Sequence, residues 1–335
     1  MPTIVPSFEL LQREQCKASI MLEGLTGKGK SGLAIMLGYG LVGGFDPKVD
    51  EKTRTTLWKK IFAADAENRS LNLFMGIPAS FGGSFGRFYG AQLTPQDGYA
   101  PSNYLLLREA AVQKGAEVFI ADSITHMWTA KGGVLDIVNE MKNKNPKLDN
   151  YRVWGSDEVS SEKQKLIDVI RDYRCHVITT VRVKEKFEMR YSEDKKGNEV
   201  VSIGEQQLQQ EGLKFEPDLV LHMLSPGRGG ENPKHPLVKV IKSRYAIFAE
   251  GDEVEVTPQL CEQLRVYLSE GADPAELLEA QRQDYVNAVK ALLDSNSSAK
   301  TIWPVLKADA GHKDTKLQDI PLVTLKHLYS QLSGE

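Results

Sequence analysis

The chain has 335 residues, 41% of them hydrophobic and 26% charged, with a formal net charge of -3. That length can bury one large core, or one core plus a small appended domain. The near balance of charge excludes a globally basic nucleic-acid binder, so any such contact needs a local basic patch or a multimer that concentrates one. No apolar run is long enough to cross a membrane and no basic-then-apolar leader opens the chain, so a cytoplasmic protein without a membrane partner is expected. Cys16, Cys175 and Cys261 are widely separated and odd in number, which suits reduced core thiols better than disulfides or a zinc site.

Taken in order, residues 1–19 hold Phe8, Leu10 and Leu11 and lead into a strand predicted over Ala18 to Leu22. Next comes GLTGKGKS, in which Gly24, Gly29, Lys30 and Ser31 fit the phosphate-binding pattern of a glycine, four free positions and Gly-Lys-Ser. Alone the pattern is short enough to arise by chance, and a glycine turn with an accidental Gly-Lys-Ser is the bland alternative. The flanks favour the functional reading, because Gly32 to Leu41 has helical apolar spacing. A strand-to-helix bend directs unpaired backbone N–H groups and the positive end of a helix dipole at one spot, which attracts a polyphosphate. The expected cradle is Gly24, Thr26, Gly27, Lys28, Gly29, Lys30, Ser31 and Gly32, with Lys30 reaching the β/γ-phosphates and the Ser31 hydroxyl ligating Mg²⁺.

Asp46 to Lys60 reads as polar and exposed, and Trp58 to Ala64 as a second strand that stops at Asp65-Ala66-Glu67-Asn68-Arg69. Acids at the carboxyl end of such a strand sit where open α/β sheets bind ligands. Glu67 is therefore a candidate to orient and deprotonate an attacking water, although acids after strands serve equally as solvated turn formers. Residues 75–100, rich in Gly, Phe and Tyr, read as a long loop on the ligand side, and Pro101 to Lys114 as a helix. The apolar run Ala116 to Ala121 ends in Asp122, placed to hold Mg²⁺ from the side opposite Ser31.

A short helix is predicted over Val134 to Met141, an amphipathic one over Ser156 to Asp172, and a strand over His176 to Val181. At the end of that strand Thr180 is a candidate sensor of the γ-phosphate, and Arg182 and Lys184 either face phosphate or are only solvated. Phe187 to Ile203 reads as a hairpin, with further strands at Leu219 to Leu224 and Val238 to Ile241. From Pro258 helical segments follow, one of them capped by Asp273.

The succession GLTGKGKS, ADAENR (Ala64 to Arg69), FIADSITHMW (Phe119 to Trp128) with GGVLD (Gly132 to Asp136), TTVRVK (Thr179 to Lys184) and KSRYAIF (Lys242 to Phe248) resembles the RecA/RadA recombinase superfamily. It is most similar to the RecA-like ATPases of bacteriophages and mobile elements, over roughly residues 5–255. The resemblance implies an α/β fold of RecA-like P-loop type, with a mostly parallel central sheet flanked by helices, over residues 1–257. A small helical domain is expected over 258–335.

The same resemblance implies an ATPase using ATP and Mg²⁺. Glu67 is the catalytic base, Ser31 and Asp122 are the metal residues, and Lys242 and Arg244 reach the γ-phosphate of a neighbouring subunit. The protein would then act as a ring or filament with its nucleotide site at the subunit interface. Single-stranded DNA would lie against residues 129–155 and 185–215, where Lys131, Lys142, Arg190, Lys195 and Lys196 meet phosphates and Phe187 or Tyr191 stacks on bases. Those segments also carry Asp136, Glu140, Asp149, Glu188, Glu193 and Asp194, so neither is strongly cationic. The function implied is recombination or annealing on single-stranded DNA. The alternatives are an assembly or remodelling factor that docks a protein partner through its helical tail and, less well supported, a small-molecule kinase.

Overall fold

The computed structural model describes residues 10–79, 81–172, 174–192, 197–210, 212–224 and 234–333, with side chains left undescribed at 186–192 and 197–205. In chain order the elements are β1 (Ser19–Gly24), α1 (Lys30–Leu41), α2 (Glu51–Leu57), β2 (Ile61–Asp65), β3 (Tyr89–Gln92), α3 (Pro101–Gln113), β4 (Val118–Asp122), α4 (Thr125–Thr129), α5 (Val134–Lys144), α6 (Asn150–Trp154) and α7 (Asp157–Ile170). They continue with β5 (His176–Ser192), β6 (Gly197–Gln207), β7 (Leu219–Met223), β8 (Leu237–Ser243), β9 (Glu253–Glu255), α8 (Pro258–Leu268), α9 (Pro274–Ser295), α10 (Ser297–Asp309) and α11 (Leu322–Ser333).

The chain divides into two compact units, Cys16–Leu268 and Ser269–Glu335 with the residues up to Gln15. The larger unit is built on a sheet of order β3-β2-β4-β5-β1-β7-β8-β9, with β6 paired to the distal part of β5. From β3 to β7 every pairing is parallel, and β8 and β9 close one side antiparallel. A parallel strand covered on both faces has no polar side, and the central strands here are buried throughout. Their side chains alternate between two cores. Ile20, Leu22, Val118 and Ile120 face the core under α1 and α8, whereas Met21, Phe119 and Ala121 face the one under α3 and α7. The mostly parallel α/β sheet with helices on both faces is the predicted architecture.

Several boundaries differ from the sequence reading, each for a physical reason. Within the stretch expected to be exposed, α2 forms with Asp50 as its cap, accepting from the Thr53 N–H at 3.0 Å. Trp58, expected to open a strand, forms a 3₁₀ turn instead and stacks on Tyr39 with ring centroids 4.0 Å apart. The long loop at 75–100 contains β3, an edge strand whose Gly90-Ala91 centre carries no apolar alternation to betray it. The hairpin is present, but its first arm is β5 itself, which runs on past the core and pairs with β6 from Val183 to Ser192, with a bulge between Glu185 and Phe187.

The unit boundary falls at Leu268, beyond the division at 257 read from composition, because Cys261, Leu264 and Leu268 of α8 belong to the same core as α1. In the smaller unit Val286, Ile320, Leu325 and Leu328 form the core of α9 and α11, and Asp273 caps α9 as expected, accepting from Ala275 N–H at 2.8 Å. The N-terminal segment belongs to this unit, with Ala272 N–H donating to Arg13 O at 3.0 Å and Gln15 N–H to Ala272 O at 3.0 Å.

Helix α1 lies against the sheet and α8 at short range because of its glycines. A Cβ on Gly40 would stand 2.6 Å from the Cβ of Cys261, inside any allowed contact, so Gly40→Val must push α8 away. Overpacking of that kind costs about 2 kcal/mol, and a corresponding drop in the urea midpoint at unchanged slope is expected for Gly40→Val.

Candidate functional site

The buried strand β1 delivers the chain to the loop at the carboxyl edge of the sheet. Gly27 and Gly29 there have φ of +81° and +84°, a region that side chains enter only at a cost. Curled in this way, the loop hands over to α1 with no side-chain cap at Gly29, leaving its first-turn N–H groups for an anion. Lys30 is only 8% exposed, and its ammonium folds back into the loop, donating to Gly24 O at 2.8 Å and Leu25 O at 2.9 Å.

Two acids are carried to the same edge by β2 and β4, whose register sets Asp65 beside Asp122. Asp65 turns inward and accepts from Glu67 N–H at 2.7 Å and Leu71 N–H at 3.0 Å. That turn fixes how the chain leaves β2 and frees the next acid, Glu67, to face the cleft. Asp122 is 1% exposed. It accepts from the hydroxyl of Thr180, with the Ser31 hydroxyl beside it, while its Oδ2 is buried without a hydrogen-bond partner among the described residues. Burial pushes the Asp122 carboxyl up, with the two hydroxyls opposing.

Together these elements line a cleft of about 370 Å³ that gathers Thr26, Gly27, Gly29, Lys30, Ser31, Glu67, Asp122 and Arg182, with Leu73, Phe74 and Ile77 as an apolar wall. A Cβ on Gly32 would meet the Phe74 ring at 3.2 Å, which ties that glycine to the wall, and Lys28 within the loop is half-buried. Of the residues expected from the loop and the two strand ends, Thr26, Gly27, Gly29, Lys30, Ser31, Glu67 and Asp122 line this cleft, and Gly24, Lys28 and Gly32 do not. Hydroxyl and carboxylate oxygens with one carboxylate oxygen unpartnered form a donor set that fits a hard divalent cation, and Ser31 and Asp122 are the residues that would hold Mg²⁺.

Three expected residues stand elsewhere. Thr180 is fully buried and gives its hydroxyl to Asp122, so its contact is with the acid and it forms no part of the cleft lining. Lys242 and Arg244 are at the opposite edge, because β8 runs antiparallel and Ser243 pairs with Leu219 at the start of β7. There Lys242 donates to the Phe215 carbonyl at 2.6 Å and also to that of Pro217, and Arg244 pairs with Asp218 at 2.8 Å. Of the proposed DNA-facing residues, Lys195 and Lys196 lie outside the described residues, as do the side chains of Phe187, Arg190 and Tyr191.

Sequence reasoning missed the partner of Glu67. Its Oε1 accepts from Arg182 Nε at 2.9 Å and Nη2 at 2.8 Å, across strands separated by β4 in the sheet. Both residues had been noticed at strand ends, but only the strand order makes them neighbours. Burial, reinforced by Arg182, also pulls the nearby His126 imidazole below its usual value and keeps it neutral.

Fold and loop define the class: this is an α/β protein with a P-loop NTPase fold. No protein-family model matches the chain, and no curated protein matches its sequence. Among solved structures, the flagellar accessory protein FlaH from Methanocaldococcus jannaschii aligns at 13% identity and a TM-score of 0.37, over 73% of this chain and 86% of that one. A likeness that loose carries no argument, so the class rests on the strand order and the loop. None of the comparisons supports a particular closeness to phage or mobile-element ATPases. Among the described residues no helix is long and apolar enough to cross a membrane.

An ionised Asp122 is costly where it is buried, so Asp122→Asn is expected to stabilise the protein without Mg²⁺ by on the order of 1 kcal/mol at neutral pH. A carboxyl whose folded pKa is raised loses stability as pH climbs from its unfolded value, about 4, to the folded one. The advantage of the Asn variant should therefore grow across that window and then level off in urea titrations, and the thermal shift caused by Mg²⁺ with nucleotide should disappear.

Proposed function

We propose that the protein is a Mg²⁺-dependent ATPase that works as an oligomer on single-stranded DNA in recombination or annealing. What carries the reading is the convergence of Lys30, Ser31, Asp122 and Glu67 on one cleft at the end of β1, β2 and β4. On this reading Lys30 exchanges the carbonyls of Gly24 and Leu25 for the β/γ-phosphates, and the loop N–H groups hold the polyphosphate in place. Ser31 and Asp122 hold Mg²⁺, which when bound neutralises phosphate charge. Thr180 keeps the Asp122 carboxylate turned toward Ser31. Glu67 accepts the proton of the attacking water, for which it must first leave Arg182.

Lys242 and Arg244 belong to this reading as residues acting on a neighbouring subunit's nucleotide. Standing at the edge opposite their own cleft, with the Arg244 side chain 54% exposed, they can reach only another copy's site. A second reading, an ATP-driven factor acting on a protein, is favoured by the exposed Leu278, Ile302, Val305 and Val323 of the helical unit.

Turnover measured with and without single-stranded DNA, at low and moderate salt, decides between the two. Stimulation that fades as salt rises is expected for the DNA reading, and stimulation by a protein alone would replace it. Lys30→Ala should abolish nucleotide binding or turnover. Glu67→Gln should bind ATP normally in equilibrium titration yet lose about 10²–10⁴-fold in turnover, and near-wild-type turnover would remove Glu67 from the mechanism. Mixing Arg244→Ala with Glu67→Gln should restore part of the activity that each lacks alone, and no recovery in co-assembled mixtures would count against action between subunits.

A further inference from the structure

The cleft holding the P-loop has a larger neighbour. A second cleft, of about 660 Å³, opens at the same edge over the ends of β2, β3 and β4, with Arg69, Tyr99 and His126 in its lining. Glu67 and Arg182 line both clefts, so their ion pair forms the shared wall. Among the described residues, Glu67 is the only acid lining the second cleft and already holds Arg182, while Arg69 is exposed with no acid partner.

Several of the other polar groups there are committed. Gln92 donates to Asp65 O and Leu93 O, Thr94 to Asp97, and His126, kept neutral, shares a 3.1 Å hydrogen bond with the Ser123 hydroxyl. Arg69 and its neighbour Asn68 stand on left-handed backbone, φ 61° and 55°, a conformation that non-glycine residues hold only when the surroundings impose it. The rings of Tyr99 and His126, 5.1 Å apart, make an aromatic flank. Excess positive charge, an aromatic flank and room for a ligand of nucleotide size occur together.

We propose that this second cleft binds a phosphate-bearing nucleotide unit, and that its phosphate draws Arg182 away from Glu67. The guanidinium, bonded through two nitrogens to Oε1 of Glu67, holds that side chain against Arg182. A phosphate carries at least as much charge as a carboxylate and suits the same planar fork, so it competes for Arg182 directly. Freed, Glu67 faces the water in the neighbouring cleft. The release half of the proposal rests on the ATPase reading above, and the binding half does not. The unit can come from a single strand or from a free mononucleotide, which share this chemistry.

Binding is measured on the full-length protein without ATP or Mg²⁺, by fluorescence anisotropy of a labelled oligothymidylate, with unlabelled dTMP and inorganic phosphate as competitors. Arg69→Asn removes the charge while keeping a residue that tolerates left-handed backbone, and it should weaken binding at least tenfold; Arg69→Lys should recover most of that. Competition by dTMP at millimolar concentration identifies the mononucleotide as a ligand in its own right, and failure of dTMP to compete identifies the strand. Unchanged affinity in Arg69→Asn, no binding of either probe, displacement by a non-hydrolysable ATP analogue, or inorganic phosphate competing as well as dTMP would each overturn the assignment. In turnover assays the ratio of stimulated to basal rate should fall toward one in Arg69→Asn, and a ratio equal to wild type would overturn the release of Glu67. An ATPase that fails outright while the Arg69-dependent binding survives would overturn the catalytic reading and leave the cleft assigned.

Discussion

Parallel pairing is the constraint on which the rest depends. Because β2, β4, β5 and β1 all run the same way, the chain must leave each of them at one edge, and whatever residues follow are brought together without further folding cost. Gly24, Asp65, Asp122 and Arg182 are each at or next to such an exit. Reversing even one of these strands would scatter the set. The antiparallel strand β8 makes the point by contrast, since its basic residues come out at the far edge.

Polar groups at this edge are held in arrangements that a stable core would avoid. A buried carboxylate keeps one oxygen unpartnered, and a buried lysine spends its ammonium on its own loop's carbonyls. Each arrangement costs free energy that the surrounding apolar layers offset, with Ile20, Ile120 and Ile178 packed below from three neighbouring strands. Thr180 serves the same end by fixing one carboxylate oxygen so that the other stays turned to the cleft.

Much of this was legible in the residues themselves. Continuous apolar runs ending in acids marked β2 and β4, and the Gly-Lys-Ser bend marked β1 and α1, because in both cases the local pattern and the tertiary role coincide. What could not be read was adjacency. Nothing in the order of the chain says that β5 inserts between β1 and β4, and hence that Arg182 faces Glu67 or that Thr180 touches Asp122. β3 was missed because Gly90 and Ala91 carry too little side chain to signal burial, and α8 was assigned to the helical tail because composition changes at Pro258 while packing changes only after Leu268.

The second antiparallel arm, β6, is joined to a strand that never breaks between core and periphery. β5 begins beneath Ala18, passes Thr180 and Arg182, and continues to Ser192, a further run of roughly 30 Å at the usual rise per residue. A bulge between Glu185 and Phe187 bends that run, yet pairing with β6 begins at Val183, next to Arg182, so the hairpin arm and the ion pair are joined through one stretch of strand.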